Sequence, residues 1–154
     1  MSNLSAYILT LHTVNVVVIC LMIERDYIVR VIQEFFKLIN GLLGKLNEDN
    51  ADEIHRQLQE VYSAYFGGSC QFFYQLSCED LLGFIDSDEQ FRHVERVEML
   101  SELLYRDGLL TGDTILRNDL LGKALALIER VEKQSKSFSV ERNDRKTGIL
   151  AMLN

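Results

Sequence analysis

The side chains best suited to chemistry in this sequence are three carboxylates at helical spacing, Glu95, Glu98 and Glu102. Di-iron bundle proteins bind their metal with glutamates spaced in this way, together with Glu-x-x-His motifs. This chain contains no Glu-x-x-His motif. Glu102 instead precedes Arg106 by one helical turn, which is a favourable ion pair. Because charged helix faces are usually wet, the pattern favours a solvated face, and we predict no metal site.

Cysteine and histidine residues offer a second set of metal ligands. Cys70 and Cys78 could join His55 or His93 around zinc, but a separation of eight residues fits none of the usual zinc spacings. His55 also closes an Asp52-x-x-His55 motif in the first turn of a predicted helix, where an acid complements the helix dipole. Buried or half-buried thiols are therefore expected. Three cysteines without a Cys-x-x-Cys pair favour a reducing, cytoplasmic compartment.

Motifs for a nucleophile or for phosphate binding are missing from the sequence. There is no Gly-x-Ser-x-Gly, and Gly67-Gly68-Ser69 has neither the spacing nor the lysine of a phosphate-binding loop. We therefore predict no catalytic residue and no cofactor. A small metal-dependent helical enzyme is the weakest of three functional hypotheses; the other two are given at the end of this subsection.

Six aromatic residues surround the double glycine and form the most distinctive local composition. Tyrosine and phenylalanine supply large contact areas, so such a cluster could line a groove for a peptide. The alternative is that they fill the core at a hairpin corner. This alternative is favoured, because aromatic residues at helical spacing are usually buried. The candidate partner-binding residues are Tyr62, Tyr65, Phe66, Phe72, Phe73 and Tyr74.

The elements that position these residues are predicted to be helices, since the chain has no proline to break them. From Glu24 to Leu46, apolar residues alternate at spacings of four and three, which predicts a helix that is apolar over most of its circumference. We expect it to be the central helix of the core; the alternative is that it is partly buried in a second copy of the chain. The stripe consists of Ile28, Ile32, Phe35, Ile39, Leu42 and Leu46.

Capping residues predict where the next helices begin. Asn50 and Glu53 form a capping box before a helix at 51–66. Ser77 and Ser87 are suitable caps for two further helices, the first of them short.

The segment 98–131 predicts two helices folded back through a turn at Asp107-Gly108, because glycine commonly ends helices. The return helix begins at either Asp113 or Asn118. After residue 137 the tail is polar until Ile149, and it is predicted to end in a short docking helix with Leu150 and Leu153. The hairpin resembles tetratricopeptide units, although its turn is longer and the usual tryptophan and proline landmarks are absent.

Length and charge narrow the class of protein further. A chain of 154 residues is the common size of one domain with its own core. A net charge of -7 argues against a nucleic-acid partner, since that affinity depends on cations. The segment 130–146 carries six basic and three acidic residues, which we interpret as cations that favour a helix C-terminus.

The most apolar part of the chain is Tyr7 to Ile23, which contains no Lys, Arg, Asp or Glu. A membrane span needs about 20 apolar residues, so a run of 17 that includes His12 and Asn15 is marginal. A secretory signal is disfavoured, because no basic residue precedes Arg25 and no small-x-small cleavage site follows. The third alternative is that residues 1–21 are an extension upstream of a natural start at Met22.

Basic residues after this run indicate an orientation if it spans a membrane. Arg25, Arg30 and Lys37 follow it closely, and positive residues flanking a span stay in the cytoplasm. With or without an anchor, the working domain is therefore predicted to be cytoplasmic.

The opening Met22-Ile23-Glu24-Arg25-Asp26-Tyr27, with the following IVRVIQEFF, resembles that of a bacterial domain-of-unknown-function family of small helical proteins. The resemblance covers roughly Met22 to Leu153. It implies a helical, tetratricopeptide-like fold and carries over no activity and no catalytic residue.

The sequence thus predicts an all-α protein: one domain at 22–154, built from five or six helices in antiparallel hairpins, behind an apolar extension at 1–21. The leading functional hypothesis is a cytoplasmic protein-interaction or scaffold module without catalytic activity, with a protein partner or a second copy of itself. The alternative is a membrane-tethered regulatory protein anchored by residues 7–23. No nucleic-acid partner is expected, and membrane contact is expected only if that segment is a genuine anchor.

Overall fold

A computed structural model describes residues 2–154, and all regular structure in that range is helical. The predicted all-α fold is confirmed, with more helices than the five or six expected; the tetratricopeptide-like arrangement stays a prediction. The helices are α1 (Ser2–Gly44), α2 (Ala51–Phe66), α3 (Cys70–Gln75), α4 (Cys78–Ser87), a 3-10 turn (Glu89–Arg92), α5 (Val94–Leu110), α6 (Thr114–Ser135) and α7 (Val140–Leu153).

The chain forms two compact units, residues 1–34 and residues 35–154. The predicted boundary between residues 21 and 22 falls inside α1, which continues unbroken from Ser2 to Gly44. No proline or glycine interrupts the sequence before Gly41, so nothing in the chain favours a break at the earlier position.

Serine side chains begin two of the short helices. Ser77 Oγ accepts a hydrogen bond from the Asp80 backbone N–H at 3.0 Å and caps α4, as predicted. Ser69 Oγ accepts from the Phe72 N–H at 3.2 Å and caps α3, which the sequence pattern did not predict. Gly67, with φ of 75°, ends α2 in the left-handed conformation that glycine adopts easily. The segment Gly67-Gly68-Ser69 is thus a junction between two helices.

Two predicted caps are wrong. Asn50 does not cap α2, because its Oδ1 accepts from the Asn47 N–H at 2.7 Å and its Nδ2 donates to the Lys45 carbonyl at 2.7 Å. The loop before α2 therefore uses this side chain. At the next junction Asp88, not Ser87, provides the cap, accepting from the Gln90 N–H at 3.0 Å.

The centre of the second unit is formed by α5 and α6, which make the most extensive helix contact there. The prediction that the helix from Glu24 to Leu46 is central is therefore wrong. Within residues 35–46, only Phe35, Ile39 and Leu42 are buried. An apolar stripe shows that a face is covered, but it does not show which helix has the longest covered face. The buried apolar residues of α5 and α6 are Val97, Met99, Leu100, Leu103, Leu104, Leu120, Leu121, Ala124, Leu127, Ile128 and Val131.

The turn predicted at Asp107-Gly108 is also wrong, because α5 continues through both residues to Leu110. A Cβ atom at position 108 would lie 3.1 Å from Leu121 Cδ2, so α6 packs closely against this glycine. The true turn is at 111–113. Asp113 then caps α6 by accepting from the N–H groups of the next helical turn, at 2.8 and 3.2 Å. Of the two predicted starts, the one at Asp113 is confirmed.

The tail forms a longer helix than predicted. Ser139 Oγ accepts from the Arg142 N–H at 3.2 Å and begins α7 well before the apolar residues. Ile149 is buried, but Leu150 and Leu153 are exposed. Apolar contact alone therefore does not explain why α7 docks.

Candidate functional site

The six predicted partner-binding aromatics divide between core and surface. Tyr62, Phe66 and Phe73 are buried, and the Tyr62 and Phe73 rings lie 5.3 Å apart. Tyr65 and Tyr74 are half-buried. Phe72 is 39% exposed, and its ring packs edge-on against Phe73 at 5.1 Å and Phe84 at 5.3 Å. Only Phe72 presents a large part of its ring to a partner, so the peptide-groove prediction now concerns chiefly that residue.

A buried carboxylate joins three of the helices in this region. Asp107, on α5, has no exposed surface. Its Oδ2 accepts hydrogen bonds from the hydroxyls of Tyr62 at 2.7 Å and Tyr74 at 2.6 Å. Its Oδ1 lies 2.6 Å from His55 Nε2, and Gln59 Nε2 donates to the Tyr74 hydroxyl at 3.1 Å. One carboxylate therefore collects donors from α2 and α3 onto α5.

The chemistry open to this cluster is limited by burial. Burial, followed by the charge of Asp107, raises the pKa of the Tyr62 phenol well above its ordinary value. Burial also raises the pKa of Tyr74, with the hydrogen bond to Asp107 as the next cause. The pKa of the nearby Cys70 thiol is raised first by burial and then by the Asp107 charge. Because each shift favours the neutral form, neither the phenols nor the thiol is an activated nucleophile.

The sequence patterns do not predict this cluster, because they put Asp107 in a turn and offer His55 only as a metal ligand. A signal was present in the sequence. Asp107 lies three and four residues after Leu104 and Leu103, on the apolar face of the predicted helix, and a carboxylate at such a position needs donors from neighbouring helices.

A buried lysine holds the end of α3. Lys123, on α6, is 1% exposed, and its Nζ donates to the carbonyls of Phe73 at 3.0 Å and Tyr74 at 3.1 Å. Its third contact is Asp119 Oδ2 at 2.5 Å. The last carbonyls of a helix have no partner within it, so this ammonium group acts as a cap supplied from another helix.

The glutamates predicted to form a solvated face are largely paired instead. Glu102 is 3% exposed, and it accepts from Arg106 Nε at 2.7 Å, as predicted, and from Arg145 Nη1 at 2.5 Å. Glu98 accepts from both Nε and Nη2 of Arg142, at 3.0 and 3.2 Å. The solvated-face prediction is thus wrong for Glu98 and Glu102, because helix α7 covers them.

The same contacts correct the interpretation of the basic segment 130–146. Arg142 and Arg145 lie in the first half of α7 and bind α5, and Lys146 Nζ donates to Glu132 on α6 at 2.8 Å. Arg130 pairs with Asp86 of α4. These four cations attach helices to one another, so the helix C-terminus interpretation is wrong for them. It is correct for Lys133, which lies in the last turn of α6.

Metal-ligating residues are dispersed in the part of the chain that the structure describes. Across residues 2–154, no group of three or more His, Cys, Asp or Glu side chains is placed to hold a metal ion. Cys70 is buried, but Cys78 is exposed, so the prediction of a buried or half-buried thiol is correct only for the first.

Residues 4–23 of α1, in the first unit, present an exposed apolar surface. From Leu4 to Ile23 every large apolar side chain is between 47% and 73% exposed. Among the residues that the structure describes, one helix, Asn3–Gly44, is long and apolar enough to cross a membrane, and its most apolar window has no buried residue. A core helix or a signal sequence can have the same length and composition, but a core helix would be buried.

The chain matches no protein-family model, no curated protein and no solved structure. The resemblance of the Met22 opening to a bacterial helical family stays a prediction.

Proposed function

We propose that this chain is a membrane-tethered helical module, with residues 3–23 crossing the bilayer and residues 35–154 held at its surface. The observation that carries the proposal is the exposed, uncharged apolar surface of α1 from Leu4 to Ile23. Exposed apolar patches on soluble proteins rarely exceed a few hundred Å², and larger ones mark membrane or protein contact sites. A helix that spans a bilayer is in contact with lipid on all sides, and residues 3–23 of α1 are exposed on all sides of the helix.

The length of the segment agrees with this. The run of 17 residues from Tyr7 to Ile23 is marginal, but the helix continues back without a charge to Asn3, which gives 21 residues. At 1.5 Å per residue these reach about 31 Å. The hydrocarbon core of a typical bilayer is about 30 Å thick.

Charges after the segment support an orientation. Arg25, Arg30 and Lys37 lie within about 15 residues of its end, where positive charge retains a flank in the cytoplasm. Acidic residues contribute little to this rule, so the three acids among them, Glu24, Asp26 and Glu34, do not cancel it. The module would therefore face the cytoplasm, in agreement with the location predicted from the sequence.

Carbonate extraction of membranes from cells that express the full chain tests the tether. We expect the protein in the pellet. The double variant Val14→Arg with Val17→Arg should move it to the supernatant, because each arginine near the helix centre costs about 2.5–3.5 kcal/mol on the insertion scale. The matched control, Ile115→Arg with Phe138→Arg, changes two exposed apolar residues of the body and should stay in the pellet. A wild-type protein in the supernatant, or a mature chain that begins at Met22, would contradict the proposal.

A cysteine already in the chain reports the orientation. Cys78 is exposed on the body of the protein. A membrane-impermeant maleimide should label it only after the cells are permeabilised, with the modified peptide identified by mass spectrometry. Labelling of Cys78 in intact cells would place the body on the opposite side.

We further propose that the body binds a protein partner through the surface around Phe72, the most exposed ring of the aromatic cluster. A photo-crosslinking amino acid at Phe72, in the full chain in cells, should give a discrete adduct. The matched control is the same amino acid at Gln71, an exposed position one step along α3. Equal adducts at both positions, or none at position 72, would contradict this second proposal.

A further inference from the structure

Two polar side chains interrupt the apolar surface of the proposed membrane span. His12 and Asn15 are both exposed and lie three residues apart, on one face of α1. Residue 13 is the midpoint of 3–23, so both lie within about 3 Å of the centre of the span along its axis. If residues 3–23 cross the bilayer, these groups are at its most apolar depth.

The threonines of the same segment show how a polar group is satisfied there. Thr10 Oγ1 donates to the Ala6 carbonyl at 2.8 Å, and Thr13 Oγ1 donates to the Leu9 carbonyl at 2.7 Å. Within the described residues, His12 and Asn15 have no such partner. A buried amide without a hydrogen bond is costly in hydrocarbon, and polar groups inside membranes almost always face protein or water.

We propose that a second copy of this chain supplies the missing partner, as a parallel helix pair in which the two Asn15 carboxamides bond to each other. This rests on the proposed membrane span. A carboxamide carries both a donor and an acceptor, so it complements its own copy across a two-fold axis. The same flanking charges orient every copy alike, which makes the pair parallel.

The residues around Asn15 form a suitable seam for such a pair. Ile8, His12, Asn15, Ile19 and Met22 follow one another at spacings of four and three, which is the repeat of a left-handed two-helix contact. A single asparagine on such a seam fixes the register of the two helices. His12, one turn before Asn15, offers a further donor and acceptor to the facing helix.

The test measures energy transfer between donor-labelled and acceptor-labelled full chains in phosphatidylcholine vesicles over a range of protein-to-lipid ratios. We expect the wild type to show a dimer that dissociates on dilution with lipid. Asn15→Leu should raise the dissociation constant about threefold to tenfold, the range that one to two interhelical hydrogen bonds give in membranes. Asn15→Gln, which keeps the carboxamide, should stay closer to the wild type.

The matched control is Thr13→Val, since the Thr13 hydroxyl already bonds to its own helix. We expect its dissociation constant to equal that of the wild type. Equal weakening by Thr13→Val and Asn15→Leu would overturn the proposal, because the contact would then not depend on Asn15. No energy transfer at any dilution would also overturn it, and would point to a different membrane protein as the partner of this face.

Flotation of the same vesicles on a density gradient separates the two proposals. Protein that floats without energy transfer refutes self-association and leaves the membrane tether intact. Protein that does not float refutes the tether and, with it, the helix pair.

Discussion

Substitution of Asp107 by alanine should destabilise the helical body, because it removes the carboxylate that Tyr62, Tyr74 and His55 contact. Tyr62 is completely buried, and its hydroxyl donates to Asp107 Oδ2. A buried donor left without its acceptor costs about 1–3 kcal/mol. Tyr74 is half-buried and keeps Gln59, so its hydroxyl should lose only about 0.5–1.5 kcal/mol. His55 is 19% exposed and can bond to water.

Together these losses amount to roughly 1.5–4.5 kcal/mol, against a total free energy of unfolding of about 5–15 kcal/mol for a domain of ordinary stability. Asp107→Asn should cost less, on the order of 1 kcal/mol, because the carboxamide keeps one acceptor oxygen for the two tyrosine hydroxyls and places its NH2 group toward His55, which can bond to water. The ordering of the two variants follows from the number of donors that remain paired.

The assay is urea denaturation of the full chain in a mild non-ionic detergent, followed by far-ultraviolet circular dichroism. With a slope of about 1–3 kcal/mol per molar urea, a loss of 3 kcal/mol lowers the midpoint by about 1–3 M. Asp144→Ala is the control: it removes an exposed carboxylate of α7 and should change stability by less than about 0.5 kcal/mol.

A double-mutant cycle with Tyr62→Phe decides whether the hydrogen bond is the cause. In the wild-type background, the loss of the hydroxyl should cost about 1–2 kcal/mol, whereas in Asp107→Ala it should cost nothing, because the orphaned hydroxyl is removed. If Tyr62→Phe costs the same in both backgrounds, the reasoning is refuted.

Three further predictions concern single residues. Gly108→Ala should destabilise the helical body by about 1–2 kcal/mol, because the added Cβ would lie 3.1 Å from Leu121. A Cβ added at Gly122 would have no atom within 4 Å, so Gly122→Ala should stabilise the body by about 0.5–1 kcal/mol in the same urea assay. Hydrogen bonds from Arg56 lower the pKa of Glu53 from 4.5 to about 2. Their contribution to the free energy of unfolding is therefore present above pH 4.5 and lost as the pH falls through about 2. A carboxyl titration by NMR should show the lowered pKa, and Arg56→Gln should return it toward 4.5. The Cys70 thiol should resist alkylation in the folded protein and react after denaturation, since it is buried with a raised pKa; rapid alkylation without denaturant would contradict this.

The parts of the fold that were predictable from sequence depend on neighbouring residues. The cap of α4 needs only Ser77 and a backbone N–H three residues later, and the helix at 51–66 follows from its apolar spacing. The incorrect predictions depend on residues far apart in the chain. Gly108 has the composition of a helix end, but its role is set by Leu121 on the next helix.

The candidate sites divide in the same way. The apolar run at 7–23 was evident from composition, but its exposure is a property of the structure. The solvated face was wrong because the arginines that cover Glu98 and Glu102 come from a segment more than 40 residues later. Helical spacing places the carboxylates on one face and carries no information on which helix will cover it.

The buried charges of the body share a location, since each lies where a short or weakly apolar helix meets α5 or α6. Helix α3 has six residues, too few to be stable alone, and it is held by Lys123 and by the bond from Tyr74 to Asp107. Helix α7 buries a single apolar residue and is held by the arginines paired with Glu98 and Glu102. Buried ion pairs add little net stability, because desolvation offsets their attraction, yet a misplaced helix would leave one charge buried and unpaired at a cost of about 3–5 kcal/mol. The ionic groups therefore act mainly against wrong arrangements of the short helices, while the apolar contact of α5 with α6 provides the stability of the fold.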